Sequence, residues 1–197
     1  MSVEFYNQNA NSFFAQTVAA DMSEAQARFL RHVPKGGRIL DAGCGSGRDA
    51  KAFAEKGYQV EAFDASTEMV RMASGHSGLQ VREMTFEQVD WQSRFHGIWA
   101  SASLLHVPRS DLPRIIVKLR QALKPEGILY LSFKFGTDER TKDGRRFTDM
   151  NEEALQSELK QVGSLDLMEI WTSEDVRPGR MGELWLSALA RRAQPRP

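Results

Sequence analysis

The sequence predicts an α/β fold built on a mostly parallel sheet. Three observations carry this. Short apolar runs with strand character alternate with segments of helical period, the pattern of successive βαβ units. The stretch Arg38 to Ala50, RILDAGCGSGRDA, takes an apolar run through an acidic residue and three alternating glycines into a helix. A second strand, Gln59 to Phe63, then ends on Asp64, on the same side of the sheet as the glycine turn.

At 197 residues the chain is long enough for one well-buried domain and short for two. Within it, residues 1–35 read as a helical lead or lid and 36–197 as the core. Phe5, Tyr6, Phe13 and Phe14 are too many aromatics for a free tail, and a lid over a ligand pocket competes with a simple cover helix. Ser23 and Gln26 have capping-box spacing for a helix over 25–32, which Pro34 and Gly36 stop. The first strand is Arg38 to Asp41. A helix over 46–56 closes at Gly57, and the second strand follows from Tyr58.

A short helix over 66–73 precedes a turn at Gly75 and Gly78 and a third strand over 79–82. Phe95 to Ser101 is the fourth strand, followed by SLLHVPRS. Ser110 can cap a helix over 111–123, in which Leu112, Ile115, Ile116, Leu119 and Leu123 have helical spacing. Pro125 and Gly127 stop it before the fifth strand, 128–133. Charge and glycine make 138–147 a loop, Asn151 caps a helix to Val162, and 165–171 and 183–190 are the last two strands. The terminal RRAQPRP reads as a frayed basic end.

The glycine turn is not a dinucleotide fingerprint, which needs G-x-G-x-x-G, and it is not a phosphate loop, because Arg48 follows Gly47 with no lysine or hydroxyl after it. Asp41, Gly43, Gly45 and Gly47 instead match D/E-x-G-x-G-x-G, and from about residue 30 onward the chain resembles the class I S-adenosylmethionine-dependent methyltransferases. The lead and the GSGRDA continuation look most like a bacterial group labelled tellurite-resistance-related. That resemblance implies a Rossmann-like three-layer fold, a seven-stranded sheet with an antiparallel seventh strand, helices on both faces, and S-adenosyl-L-methionine as cofactor. It also places 175–180 in the turn between strands six and seven, where substrate enters.

The cofactor set then comprises Tyr6, Asp41, Gly43, Gly45, Arg48, Asp64, Ala65, Met84, Thr85 and Ser101. Asp64 can take both ribose hydroxyls, or merely cap the helix that follows. Asp41 takes backbone or cofactor-amine hydrogen bonds, or braces the turn. Arg48 reaches a carboxylate or forms a salt bridge, and Asp49 suits a helix N-terminus structurally. Met84 stands where many relatives carry an acid, which leaves adenine to the backbone of Met84 and Thr85 and to apolar contacts.

For catalysis, His106 is either a substrate contact and weak base or a locally bonded neutral imidazole, and Arg145 and Arg146 lead the acceptor candidates. Arg140, Lys134, Arg177 and Arg180 support them. The same charged stretch also reads as a solvated loop. His32, His76 and His96 look structural, and one cysteine with no H-E-x-x-H pattern argues against a metal site. Cys44 excludes an internal disulfide and reads as a buried filler.

The expected activity is methyl transfer to a small polar, possibly anionic, acceptor. An RNA-modifying enzyme and a noncatalytic nucleoside-binding module are the alternatives. With 26 basic and 26 acidic residues the net charge is zero, so only a local patch would favour nucleic acid. Neither a signal peptide nor a membrane span is apparent, a cytoplasmic location is expected, and nothing sets an oligomeric state.

Overall fold

The computed structural model describes residues 2–177, 180 and 182–194. Strands β1 (Arg38–Ala42), β2 (Gln59–Asp64), β3 (Arg82–Glu83), β4 (Phe95–Ala100), β5 (Leu123–Lys134), β8 (Leu165–Glu174) and β9 (Leu184–Arg192) form one sheet in the order β3-β2-β1-β4-β5-β9-β8. The pairs from β3 to β5 are parallel, and β9 runs antiparallel to both β5 and β8. Strand order therefore reverses between β1 and β4, and a crevice opens beyond their C-terminal ends, as open α/β sheets require.

Both faces of this sheet are covered because its strands alternate apolar residues to either side. Ile39 packs with Phe29, Phe53 and Trp99 on one face, under α2 (Ser23–Leu30) and α3 (Arg48–Glu55). Leu40 and Ala42 pack on the other with α5 (Leu112–Ala122) and α6 (Glu152–Val162), through Ile115, Ile116, Leu119, Leu155 and Leu159. Trp99 stacks on Tyr130 at 3.7 Å between ring centroids. Gly97 is a packing residue: a Cβ there would come within 2.5 Å of the Phe29 ring, so the bare backbone lets α2 lie directly on β4.

Several local expectations are corrected. Residues 139–148 are not a loop but a hairpin of β6 (Glu139–Lys142) and β7 (Arg145–Thr148), turning through Asp143 and Gly144, both at positive φ. The charged residues hid a two-residue turn flanked by alternating side chains. The Ser23–Gln26 capping box does not form. Ser23 donates its backbone N–H to Asp21, and Gln26 turns inward to Asp49. Ser110 is likewise no cap, since Asp111 holds that position.

Asn151 does cap α6, accepting from the Ala154 N–H at 2.8 Å. The helix after β2, α4 (Thr67–Ser77), runs longer than expected, and the third strand is only two residues. Arg191 and Arg192 are not frayed: both belong to β9, where Arg192 donates to the carbonyls of Gln121 and Leu123. Residues 195–197 of that end lie outside the described residues, as do 178 and 179 of the β8–β9 turn.

The lead forms α1 (Ser2–Thr17), a helix kinked at Asn9. It crosses the crevice instead of packing on the sheet. Asn7 accepts from the Ser66 hydroxyl at 2.6 Å at the start of α4, and the Ser2 hydroxyl accepts from the Arg146 N–H at 3.1 Å.

Candidate active site

A single cavity of about 1350 Å³ fills the crevice, roofed by α1 and flanked by the β6–β7 hairpin and the β8–β9 turn. That exceeds the roughly 300–1,000 Å³ of a one-ligand pocket, leaving room for a donor and an acceptor together. All thirteen candidate residues, from Tyr6 to Arg146, line it.

The floor is set by the glycine turn. Gly43 has φ +74°, and a Cβ on it would lie 2.5 Å from the Cβ of Ser103, whose hydroxyl donates to the Ala42 carbonyl at 2.7 Å. The turn after β4 is thereby pressed against the turn after β1. Ala102, between Ser101 and Ser103, sits at φ +50°, a conformation that costs a non-glycine residue about 1–2 kcal/mol, and its N–H donates to Ser132 at 2.8 Å.

Asp64 binds this turn from the side. Its carboxylate accepts from the Gly45 N–H at 2.9 Å and the Ser66 N–H at 3.0 Å, so it ties the turn to α4. Burial raises its pKa, against the pull of those backbone donors. A carboxylate has about four lone-pair sites, and two remain for a diol. Asp41, only 2 % exposed, has one oxygen with no partner among the described residues. Burial and the neighbouring Asp49 charge raise its pKa well above the ordinary range, with Arg48 and the Ala50 N–H opposing. A cationic donor would relieve this. The amino group of S-adenosylmethionine has that chemistry, and the ribose diol suits Asp64.

Arg48 does not extend into the cavity as a free cation. Its guanidinium forks onto Asp49 at 3.0 and 2.6 Å and donates to the Thr17 carbonyl at 3.2 Å. Asp49 also accepts from Gln26 at 2.7 Å and from the Trp99 indole at 2.9 Å, a buried hub joining α1, α2, α3 and β4. Asp49 is thus more than a favourable charge at a helix start. The backbone amides of Met84 and Thr85 are also not free for a purine: the first donates to the Asp64 carbonyl and the second to the Gln88 side chain. What they offer is an apolar wall, with Phe86 added and Phe63 behind it.

On the opposite side, Tyr6 Oη lies 2.7 Å from His106 Nε2, and His106 Nδ1 lies 2.6 Å from the Arg146 carbonyl. Burial lowers the His106 pKa to about 4, and it raises that of Tyr6 while the Arg145 cation pulls it down. Of the arginines, Arg140 pairs with Asp149 at 2.9 Å, Arg146 with Glu139 at 2.7 Å, Arg177 with Asp175 at 2.6 Å and Arg180 with Glu183 at 3.1 Å. Lys134 is held by Asp175 and Glu183 and lies over the Trp185 ring. Arg145 differs. Its guanidinium stacks on Phe5 at 4.2 Å and near Phe147 at 5.1 Å, its nearest carboxylate is Asp143 at 3.7 Å, and its buried Nε has no partner among the described residues.

A family model described as a methyltransferase domain matches residues 14–170. The chain belongs to that family. A methyltransferase domain needs a methyl donor, and the unpartnered Asp41 oxygen suits the amino group of S-adenosylmethionine. Among solved structures, the 1,6-didemethyltoxoflavin-N1-methyltransferase of Burkholderia thailandensis, with 1,6-didemethyltoxoflavin and S-adenosylhomocysteine bound, is 23 % identical, covers 98 % of this chain and 85 % of its own, and has a TM-score of 0.77. A S-adenosylmethionine-dependent methyltransferase from Methanosarcina mazei is 19 % identical over 84 % of this chain and 97 % of its own, with a TM-score of 0.74. At those identities the likeness is one of fold. A curated relative, the ubiquinone biosynthesis O-methyltransferase of Xanthomonas axonopodis pv. citri, is 38 % identical over 106 residues, which is 50 % of this chain and 44 % of the relative. The methyltransferase domain here thus matches less than half the length of that enzyme.

Sequence reasoning missed the Gln26–Asp49–Trp99 hub, the Phe5–Arg145 stack and the Ser103 brace. Their partners are far apart in the chain, and no local spacing announces them. Among the described residues there is no cluster of three or more potential metal ligands, and no helix is long and apolar enough to cross a membrane.

Proposed function

We propose that this domain transfers the methyl group of S-adenosylmethionine to a small acceptor that carries an anionic group, with residues 1–35 as lid and 36–197 as catalytic core. In this reading Asp41 holds the donor's amino group, Asp64 its ribose, and Met84, Thr85 and Phe86 wall the adenine. Gly43, Gly45, Ala65 and Ser101 supply close backbone approach. Arg48 acts indirectly, by holding Asp49 and the end of α1. Arg145 takes the acceptor's anion, and Arg146 orients His106 through its carbonyl.

One observation carries the acceptor assignment: Arg140, Arg146, Arg177 and Arg180 pair with carboxylates at 2.9, 2.7, 2.6 and 3.1 Å, whereas Arg145, which lines the cavity, has among the described residues only the looser contact to Asp143 at 3.7 Å. An oxyanion can take two parallel hydrogen bonds from such a guanidinium. Much of the rate would come from alignment under a roof that excludes water. Of two acceptor classes, a chalcogen oxyanion suggested by the tellurite-related resemblance and a hydroxyl suggested by the name of the Xanthomonas relative, the second has the closer support.

The test is a protein-free metabolite pool incubated with methyl-labelled donor, with the product identified by mass. A labelled product whose formation Arg145→Gln impairs chiefly through KM supports the reading. Equal transfer by wild type and Arg145→Gln, at saturating and subsaturating pool, would remove Arg145 from it.

A further inference from the structure

Tyr6 and His106 are brought together from opposite ends of the site, one on the roof and one on the turn after β4. Their hydrogen bonds define which atoms carry protons. The Arg146 carbonyl can only accept, so His106 Nδ1 carries the hydrogen and Nε2 is bare. Nε2 must then accept from the Tyr6 hydroxyl, which leaves the Tyr6 oxygen with lone pairs beside the cavity. The first residue of α1 is pinned to the same peptide, because the Ser2 hydroxyl accepts from the Arg146 N–H. Seating the roof and orienting the imidazole are one event.

Resting on the methyl-transfer reading, we propose that Tyr6 and His106 are a proton relay, and that the acceptor enters with an O–H or N–H bond instead of already ionised. As the acceptor atom bonds to the methyl carbon, the carbon–sulfur bond breaks with its electron pair remaining on sulfur. The acceptor's proton passes to Tyr6 Oη while the Tyr6 proton passes to His106 Nε2. The products are the methylated acceptor, a neutral thioether and an imidazolium. No net charge is created, since the positive charge lost at sulfur reappears on His106.

The surroundings explain why the two steps must be concerted. Facing His106 are Tyr6 from α1 and, from β7, Arg145, the Arg146 carbonyl and the Phe147 ring. Among the described residues no carboxylate is hydrogen-bonded to the imidazole, whereas catalytic triads hold the imidazolium with one. With burial and Arg145 both against the cation, the resting imidazole is neutral at physiological pH and gives its proton back to solvent readily once the roof lifts.

Two measurements test this. In a long-range proton–nitrogen spectrum of the S-adenosylhomocysteine complex at pH 7, His106 should be the neutral Nδ1–H form; an Nε2–H form has no lone pair for the proton and overturns the relay. In the metabolite-pool assay, His106→Asn keeps a donor toward the Arg146 carbonyl but lacks the base, and general-base loss predicts about 10²–10⁴-fold slower transfer near neutral pH. Tyr6→Phe should lose less. Both deficits should shrink as pH rises enough to ionise the acceptor unaided, with the S-adenosylhomocysteine affinity of His106→Asn within about threefold of wild type. A deficit that is the same at every pH assigns the pair a structural role and sinks the relay, as does normal transfer by His106→Asn. Absence of transfer by wild type defeats the methyl-transfer reading, and the relay with it.

Discussion

The two halves of the cavity are built in different ways. On the side of Asp41, Gly43 and Asp64, the floor is strand ends and the turns leaving them, tied by main-chain donors: the Gly45 N–H to the Asp64 carboxylate and the Met84 N–H to the Asp64 carbonyl. On the side of Tyr6, His106 and Arg145, the walls are added elements: a kinked helix, a two-stranded hairpin and the β8–β9 turn. Side-chain ion pairs and aromatic contacts hold them together. A site made of sheet ends is rigid and chemically fixed, which suits a donor shared across a family. One made of appended pieces can be rebuilt without disturbing the sheet, which suits an acceptor that differs between relatives.

The harshest way to break this contrast is Gly43→Ala. The substitution puts a methyl 2.5 Å from Ser103 Cβ at positive φ, so the turns after β1 and β4 must separate. The left-handed backbone alone costs about 1–2 kcal/mol. Calorimetric affinity for S-adenosylhomocysteine should fall by about 100-fold or more, roughly 3 kcal/mol, together with a lower Tm. Retention of near-normal affinity would show that the turn is not the rigid part.

Asp41→Asn sharpens the same half by separating stability from binding. The fold raises the Asp41 pKa above its ordinary 3.8, so the folded chain holds the proton more tightly than the unfolded one. Wild-type stability therefore declines as pH rises from that ordinary value toward the folded one, and the asparagine variant escapes the decline. The variant should therefore melt higher than wild type at pH 8, with a smaller gain at pH 5. It should nonetheless bind S-adenosylhomocysteine about 10–100-fold more weakly, because a charged partner for an ammonium is gone. A gain in both would assign Asp41 to bracing alone.

How much could be read beforehand follows the same division. Asp41, the three glycines and Asp64 are adjacent to strand ends in the sequence, so their spacing exposed both the fold and the strand-end floor of the cavity. The availability of the Met84 and Thr85 amides could not be read, because it depends on a sheet pair and on Gln88. On the acceptor side, charge masked the hairpin, and Arg140, Arg145 and Arg146 looked alike. Only tertiary placement distinguishes them, since the carboxylates that occupy Arg140 and Arg146 are Asp149 and Glu139, while Phe5 reaches Arg145 from the far end of the chain.

That distinction yields the smallest expected effect. Arg146 is 39 % exposed in its pair with Glu139, and its useful group is the main-chain carbonyl. Arg146→Ala should change stability by about 0–1 kcal/mol and leave transfer from the labelled donor within about twofold of wild type. A loss matching that of Arg145→Gln would return the two arginines to equal standing.

The division into two halves is tested most directly by titrating S-adenosylhomocysteine calorimetrically into wild type, Asp64→Ala and Arg145→Gln. The account predicts one site in the wild-type domain, affinity about 10–100-fold weaker for Asp64→Ala, as expected for losing a charged hydrogen-bonding partner worth about 1.5–3 kcal/mol, and affinity within about twofold of wild type for Arg145→Gln. Equal weakening by both substitutions, or no binding by folded wild type, would contradict it.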